Sequence, residues 1–439
     1  MTKSEKQSGV EYSAEYFKDQ GITYIQFQFT TILGELKEVE FPAKNWESMK
    51  GGTGVDGSSL GFLQTEQSDM RAVPDLNSFS KLPWDSRVAR FICDMKKNDG
   101  TSHPSCPRSI FKKVLAQANS MGYSYKVRPE LEWYFLDAEL HSADAGSYMA
   151  TLPEDNNEGL RREITDDMLD MFGAGSPHTI HHEVGPGQHE IELTRLEGLA
   201  QADNVQTGKV ICKIEAAFEG LIATFIPKPF PDEAGSGLHI HQYLEDKAGE
   251  NVFSAEGGIS EILRWYIGGT LKHAAAISAI LNPTTNSYKR LVPHHEAPVY
   301  KAWGVGNRTA LMRVPGYESK AHMEYRAGDG GMNIYLGMAA LLAAGLDGIT
   351  HKIEPNTPTT KNIDKLSDEE RAELGITQLP QSLEESLDAF EQSLFIKDVF
   401  GPELVTVYLS KKRAEISDHK DAVQIDDEHE WELKQYLDC

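Results

Sequence analysis

The residues whose types and spacing point most directly to chemistry are Glu130 and Glu132, Glu183 and Glu190, His239, and Glu324. Glu130 with Glu132, His239 with His241, and Glu324 with Arg326 sit two apart in strand-like context, and such pairs share one face of a sheet. The run from His181 to Leu193 adds two strand-like segments around Gly185-Pro186-Gly187, a turn-forming tripeptide. A tip at Pro186-Gly187 sets Glu183 opposite Glu190. Like charges directly opposed on neighbouring strands are destabilising. At about 4 Å and an effective dielectric near 20 the repulsion is about 4 kcal/mol, which a divalent cation converts into attraction. A solvated hairpin is the plain alternative for that pair alone, and a wetted sheet face for each of the others. Together they favour one charged face whose carboxylates and single imidazole suit magnesium (Mg2+) or manganese (Mn2+) rather than zinc or copper. The carboxylates are numerous enough for two ions.

Counter-charges are grouped as well. Arg290, Arg308, Arg313 and Arg326 lie in a stretch rich in Pro, Gly and Asn, and guanidinium forks suit carboxylate and phosphate oxygens. Cations beside several arginines describe a phosphoryl-transfer site, where catalysis is mainly positioning and charge neutralisation. Surface salt bridges are the alternative.

Elements that could position these groups follow from periodicity. Ile25–Phe29, Val39–Phe41 and Val88–Met95 read as strands. Asn98-Asp99-Gly100, Pro104 and Pro107 then mark a boundary near 103, dividing the chain into 1–103 and 104–439. Beyond it, Ile110, Val114, Leu115 and Ala118 form a helical stripe and Glu130–Phe135 a strand, with helices expected across 199–221, 259–281, 335–347 and 380–395. The chain has 439 residues, 40% of them apolar, and a formal charge of -24, which opposes binding to nucleic acid. The longest apolar run, Ile334 to Leu346, is shorter than the roughly 20 residues of a membrane span. Without an apolar leader, and with four widely spaced cysteines that form no Cys-x-x-Cys pair, a cytoplasmic protein away from membranes is expected. Gly52–Gly57 matches the dinucleotide fingerprint by letter, and Gly57-Ser58-Ser59-Leu60-Gly61 the nucleophile elbow. Both are set aside because no strand before them and no helix after them is expected.

From about residue 20 to the C-terminus the sequence resembles the glutamine synthetase family, in its prokaryotic long form. The motifs are Val55-Asp56-Gly57-Ser58-Ser59, Ser68-Asp69-Met70, His182-Glu183-Val184, Gly187-Gln188-His189-Glu190, Gly235-Ser236-Gly237-Leu238-His239-Ile240-His241, and Asn282 to Arg290. The resemblance implies an α+β fold: an N-terminal β-grasp domain and a C-terminal catalytic domain on a curved antiparallel sheet flanked by helices. It also implies a homo-oligomer, a dodecamer of two hexameric rings with active sites between neighbours. Glutamate, ammonia and ATP would be the substrates, with γ-glutamyl phosphate as the intermediate.

By the same resemblance, Glu132, Glu183 and Glu190 would hold one metal, and Glu130, His239 and Glu324 another. Arg290, Arg308 and Arg326, with Gly235, would meet glutamate, while Arg313 and His241 would meet ATP. Asp56 and Asp69 would bind ammonium and take its proton, Asp56 in a neighbour's site, and Glu296 would close a flap over the intermediate. Ala234, Tyr243, His322 and the flap pair His294-His295 depart from the family pattern. An amine ligase and a catalytically silent relative are therefore kept as alternatives.

Overall fold

The computed structural model describes residues 10–62, 68–315, 321–424 and 428–439, which form two main sheets. The first contains β1 (Tyr24–Thr30), β2 (Leu36–Pro42), β3 (Thr53–Asp56), β4 (Asp69–Pro74), β5 (Ser80–Leu82) and β6 (Asp85–Lys96). Its order is β2-β1-β6-β4-β3, with β5 also on β6, and β1 runs parallel to β6. Alternation along β1 buries Ile25, Phe27 and Phe29. These pack with Phe17, Trp46 and Phe91 into an aromatic core, each ring worth about 1.5–3 kcal/mol of burial. The indole N–H of Trp46 is satisfied at 2.7 Å by the Tyr12 carbonyl oxygen.

The second sheet carries the chemistry. It comprises β7 (Ser124–Leu136), β8 (Pro177–His182), β9 (Gln188–Leu193), β10 (Leu196–Glu197), β11 (Ile222–Thr224), β12 (Leu238–Glu245), β15 (Trp303–Val305), β16 (Met312–Val314) and β17 (Met323–Tyr325). A separate ribbon pairs β13 (Ser254–Ala255) with β14 (Gly258–Ile259). The main order is β15-β16-β17-β12-β7-β9-β8. Its pairs are antiparallel except β15 with β16, so the expected antiparallel sheet is mixed at one edge. On β7, Val127, Leu131, Trp133 and Phe135 turn into the core, leaving Arg128, Glu130 and Glu132 on the other face by the period of two.

Helices Pro107–Ser120, Gly198–Phe218, Glu261–Leu281, Ile334–His351 and Leu383–Gln392 realise the expected helical stretches. Ile334–His351 is long and apolar enough to cross a membrane by composition, yet it is largely buried inside the protein. Glu158–Phe172 and Leu394–Val423 are further helices; the second is broken at Gly401, before Pro402. Arg108 staples the two sheets' layers together. It donates to Asp203 on helix Gly198–Phe218 at 2.8 and 2.9 Å, to Asp94 at 3.0 Å and to Asp75 at 2.9 Å.

One expectation is corrected near Gly57. Strand β3 does precede it, but β4 then pairs antiparallel with β3, and the Ser59 hydroxyl donates to Asp56 at 2.6 Å. Among the described residues no helix follows, so neither a nucleophile elbow nor a dinucleotide turn forms.

Candidate active site

Register explains how residues distant in sequence become neighbours. Glu190 on β9 lies opposite Glu132 on β7, and Glu192 opposite Glu130. Glu130 in turn lies opposite His239 on β12, His241 opposite Glu324 on β17, and Glu324 opposite Arg313 on β16. All of these side chains except the fully buried Glu324 line one cleft of about 1670 Å³.

The hairpin differs in register from the expected one. His181, rather than Glu183, lies opposite Glu190. The Glu183 amide donates to the Gln188 carbonyl oxygen at 2.7 Å, leaving a loop of residues 184–187. The cause is Pro186: L-proline does not suit the tight two-residue turns, and four-residue loops accommodate it. Gly187 supplies the positive φ of 73°. Glu183 still reaches Glu190 diagonally, because ligand atoms of His181, Glu183 and Glu190 lie within 4.8 Å of one another. His181 was missed from sequence, although its place two residues before Glu183 is the signal that could have found it. Its Nε2 stands 3.2 Å from Glu190.

Glu132 completes this side of the cleft, accepting from the Gly237 amide at 2.6 Å. The second expected metal set, Glu130, His239 and Glu324, also assembles with ligand atoms within 4.8 Å. Glu130 is 3.2 Å from His239 Nδ1 and 2.5 Å from His241 Nε2. Glu324 accepts from Arg313 at 2.7 Å and from Arg326.

The two sets carry opposite electrostatic stress. Burial, then the charges of Glu132, Glu130 and Glu183, pushes the Glu190 carboxyl well above its usual range. Burial and Glu132 raise Glu183 likewise. Burial also opposes the charge on Glu130, but His241 and the hydrogen bonds from His239 and His241 hold its pKa well below normal. Against the same burial, the charges of His241 and Arg326 lower Glu324 to about 2. Among the described residues the first set thus has no lysine or arginine partner, whereas in the second Arg313 and Arg326 pair with Glu324. Oxygen donors with one imidazole fit magnesium or manganese in both.

Arg290, Arg308 and Arg326 line the same cleft with Gly235 and Glu296. Arg290 is buried and donates to the Ala327 and Arg326 carbonyl oxygens at 2.8 and 3.3 Å. Arg326 donates to the Arg308 carbonyl oxygen at 3.1 Å. Glu296 is exposed on its outer side but shielded by the cleft walls, and this shielding, then Glu132, raises its pKa. At the other end, His322 shares a hydrogen bond of 2.8 Å with His241 and stacks on Tyr243 at 4.5 Å, with Arg195 5.0 Å from the centre of the Tyr243 ring.

Asp56 and Asp69 are not brought to this cleft within the chain. They oppose each other on β3 and β4, both exposed. The Ser59 and Ser58 hydroxyls and the Ser58 amide hold the Asp56 carboxyl well below its usual range.

Two family models account for almost all of this architecture. That of the glutamine synthetase catalytic domain matches residues 104–436, and that of the glutamine synthetase beta-Grasp domain matches 21–98. The chain belongs to the glutamine synthetase family. It is 40% identical to the glutamine synthetase of Thermotoga maritima, over 98% of this chain and 99% of that one. It is likewise 40% identical to that of Methanocaldococcus jannaschii, over 98% of each. A solved GmaS/ADP complex superposes with a TM-score of 0.88 at 30% identity, covering 98% of this chain and 100% of that one. The glutamine synthetase of Plasmodium falciparum gives a TM-score of 0.83 at 25% identity, covering 94% of this chain and 97% of that one. The family fold of a β-grasp domain followed by a catalytic domain is therefore the fold of this chain, and its activity is glutamate–ammonia ligation at the expense of ATP.

Proposed function

We propose that the cleft runs this ligation with two divalent cations, one held by Glu132, Glu183 and Glu190 and one by Glu130, His239 and Glu324. The observation that carries the assignment is the uncompensated pair Glu183 and Glu190 facing a wall of arginines across one cleft. Bound magnesium or manganese would neutralise phosphate charge and polarise the transferred phosphoryl group. Arg290 and Arg326, with Arg308, hold the carboxylates of glutamate. Gly235 lets the chain pass close to that substrate. Arg313 and His241 face the phosphates of ATP, whose γ-phosphoryl group passes to the glutamate γ-carboxylate.

The acyl phosphate must be kept from water until ammonia attacks. Glu296, on the segment at the cleft mouth, closes over it. Asp56 and Asp69 bind ammonium and accept its proton, and because they lie outside the chain's own cleft they act in a neighbouring subunit of a dodecamer.

The test is phosphate release by purified protein with ATP, magnesium and glutamate, with and without ammonium. Release that depends on glutamate and ammonium together, with glutamine formed in equal amount, is the expected result. Phosphate release indifferent to both would refute the reading.

A further inference from the structure

Behind the hairpin that carries Glu183 and Glu190 lies a second polar cluster, which the reaction does not use. His181 and Glu190 face the cleft, whereas His182 and His189 turn to the opposite side, where both rings are fully buried. There they meet Asp144, whose side chain is also 0% exposed. One Asp144 oxygen accepts from the amides of Gly146 and Gly187 at 3.0 and 2.7 Å and lies 2.9 Å from His182 Nε2. The other accepts from Asn157 at 2.9 Å and stands 3.6 Å from His189 Nε2.

The two imidazoles have different partners. His182 faces an acceptor at each nitrogen: Asp144 at Nε2, and the carbonyl oxygen of Glu183 at Nδ1, 2.7 Å away. Both contacts are of hydrogen-bond length, so this ring ties Asp144 to the peptide of Glu183. His189 instead receives a hydrogen bond from Arg161 at Nδ1, 2.7 Å long, and Arg161 is held at 2.7 Å by buried Asp155. Close packing makes the arrangement demanding, since a Cβ on Gly146 would lie 2.4 Å from His182 Nε2.

We propose that Asp144, acting through His182 and the Gly187 amide, is a positioning residue that fixes the backbone of the Glu183–Glu190 hairpin at the spacing a divalent cation requires. Asp144 anchors the loop after Glu183, and His182 anchors the peptide of Glu183 itself. The proposal rests on the reading that Glu183 and Glu190 hold metal. Partners behind metal ligands commonly change metal affinity by about 10–100-fold when removed.

Hydrogen exchange and Mn2+ titration of the assembled protein test it. In metal-free Asp144→Ala, the amides of Glu183, Gly187 and Gln188 should exchange at least about tenfold faster, while those of β7 and β12 keep wild-type rates. Its Mn2+ affinity should fall by about 10–100-fold. His182→Gln can retain a donor toward Asp144 but loses the one toward the Glu183 carbonyl oxygen. It should shift both readouts in the same direction, by less, with a melting temperature close to wild type. If Asp144→Ala does not fold, His182→Gln decides. Unchanged hairpin exchange, or faster exchange with unaltered Mn2+ affinity, overturns the proposal. Wild-type protein that binds no Mn2+ would instead refute the metal reading, with the exchange rates still deciding whether Asp144 sets the hairpin.

Discussion

Glu132 and Glu190 face each other directly across β7 and β9, with Glu183 beside them and no lysine or arginine donating to any of the three among the described contacts. A folded state that buries such a pair works against its own stability unless a cation joins it.

That arrangement predicts a specific pH dependence. Folding raises the Glu190 pKa above its ordinary 4.5, so the native state holds a proton that the unfolded chain releases more readily. The associated stability is present below pH 4.5 and is lost as pH rises through the folded value. Replacing Glu190 by Gln removes this loss. In metal-free protein the melting temperature of Glu190→Gln relative to wild type should therefore rise between pH 5 and pH 8, by at least about 2 °C. With saturating magnesium the order should reverse, because only wild type gains the binding energy. Scanning calorimetry at several pH values decides it, and a difference that does not vary with pH would count against the uncompensated pair.

Gly235 offers a test of the substrate wall. A Cβ there would lie 2.7 Å from Arg290 Cγ and 2.8 Å from the Pro227 carbonyl oxygen, so Gly235→Ala must displace Arg290. A displacement of about 1 Å at a positioned group can cost roughly 100-fold in rate. Steady-state kinetics should show kcat/KM for glutamate falling by about that factor, with KM for ATP changing far less. Gly159→Ala, in open space on a helix, is the control and should leave both constants unaltered.

The positions of Asp56 and Glu324 predict a result for mixed assemblies. Asp56 is exposed on the N-terminal sheet, and Glu324 is buried on β17 of the catalytic sheet. If one subunit completes its neighbour's site, inactive Asp56→Ala and inactive Glu324→Ala subunits should regain part of the activity when allowed to exchange. Light scattering should show a particle many times the 48.8 kDa chain. Mixed oligomers, verified by mass spectrometry, that remain inactive would mean that each chain carries a complete site.

Legibility from sequence followed the strictness of the local rule. The period of two on a strand is invariant, so the pairs Glu130 with Glu132, His239 with His241, and Glu324 with Arg326 could be placed on one face without knowing the fold. Strand order has no such local code, and the adjacency of β9, β7, β12 and β17 became visible only in three dimensions. The hairpin register slipped by two because the loop length depends on how Pro186 is accommodated. Helix Glu158–Phe172 escaped notice beneath its charged sequence, and Leu394–Val423 is interrupted by Gly401-Pro402. Tyr243 and His322 stood out singly as departures from the family pattern. Their stacking on each other is a tertiary fact. Asp144 lies outside any helix or strand, where no periodicity marks a residue as important.

The nucleophile remains the sharpest test of chemistry. Ammonium must lose water and a proton before its lone pair can attack, so its site should present carboxylates around a small cation. A bulky amine would need apolar room there. Asp56, Asp69 and Glu296 supply the acids, and Glu296 has a raised pKa at the cleft mouth, produced by shielding and by Glu132. His294 and His295, which precede it, are both exposed and line the cleft with polar imidazoles rather than an apolar wall. Ammonium should accordingly give a higher kcat/KM than methylamine, ethylamine or ethanolamine. Asp56→Ala should lose ammonium-dependent turnover by about 100-fold or more, in the range of removing a general base, while retaining ATP binding measured by calorimetry. Faster turnover with an alkylamine than with ammonium would move the assignment to an amine ligase. Inactivity with every acceptor, in metal-loaded and fully assembled protein, would leave a silent relative.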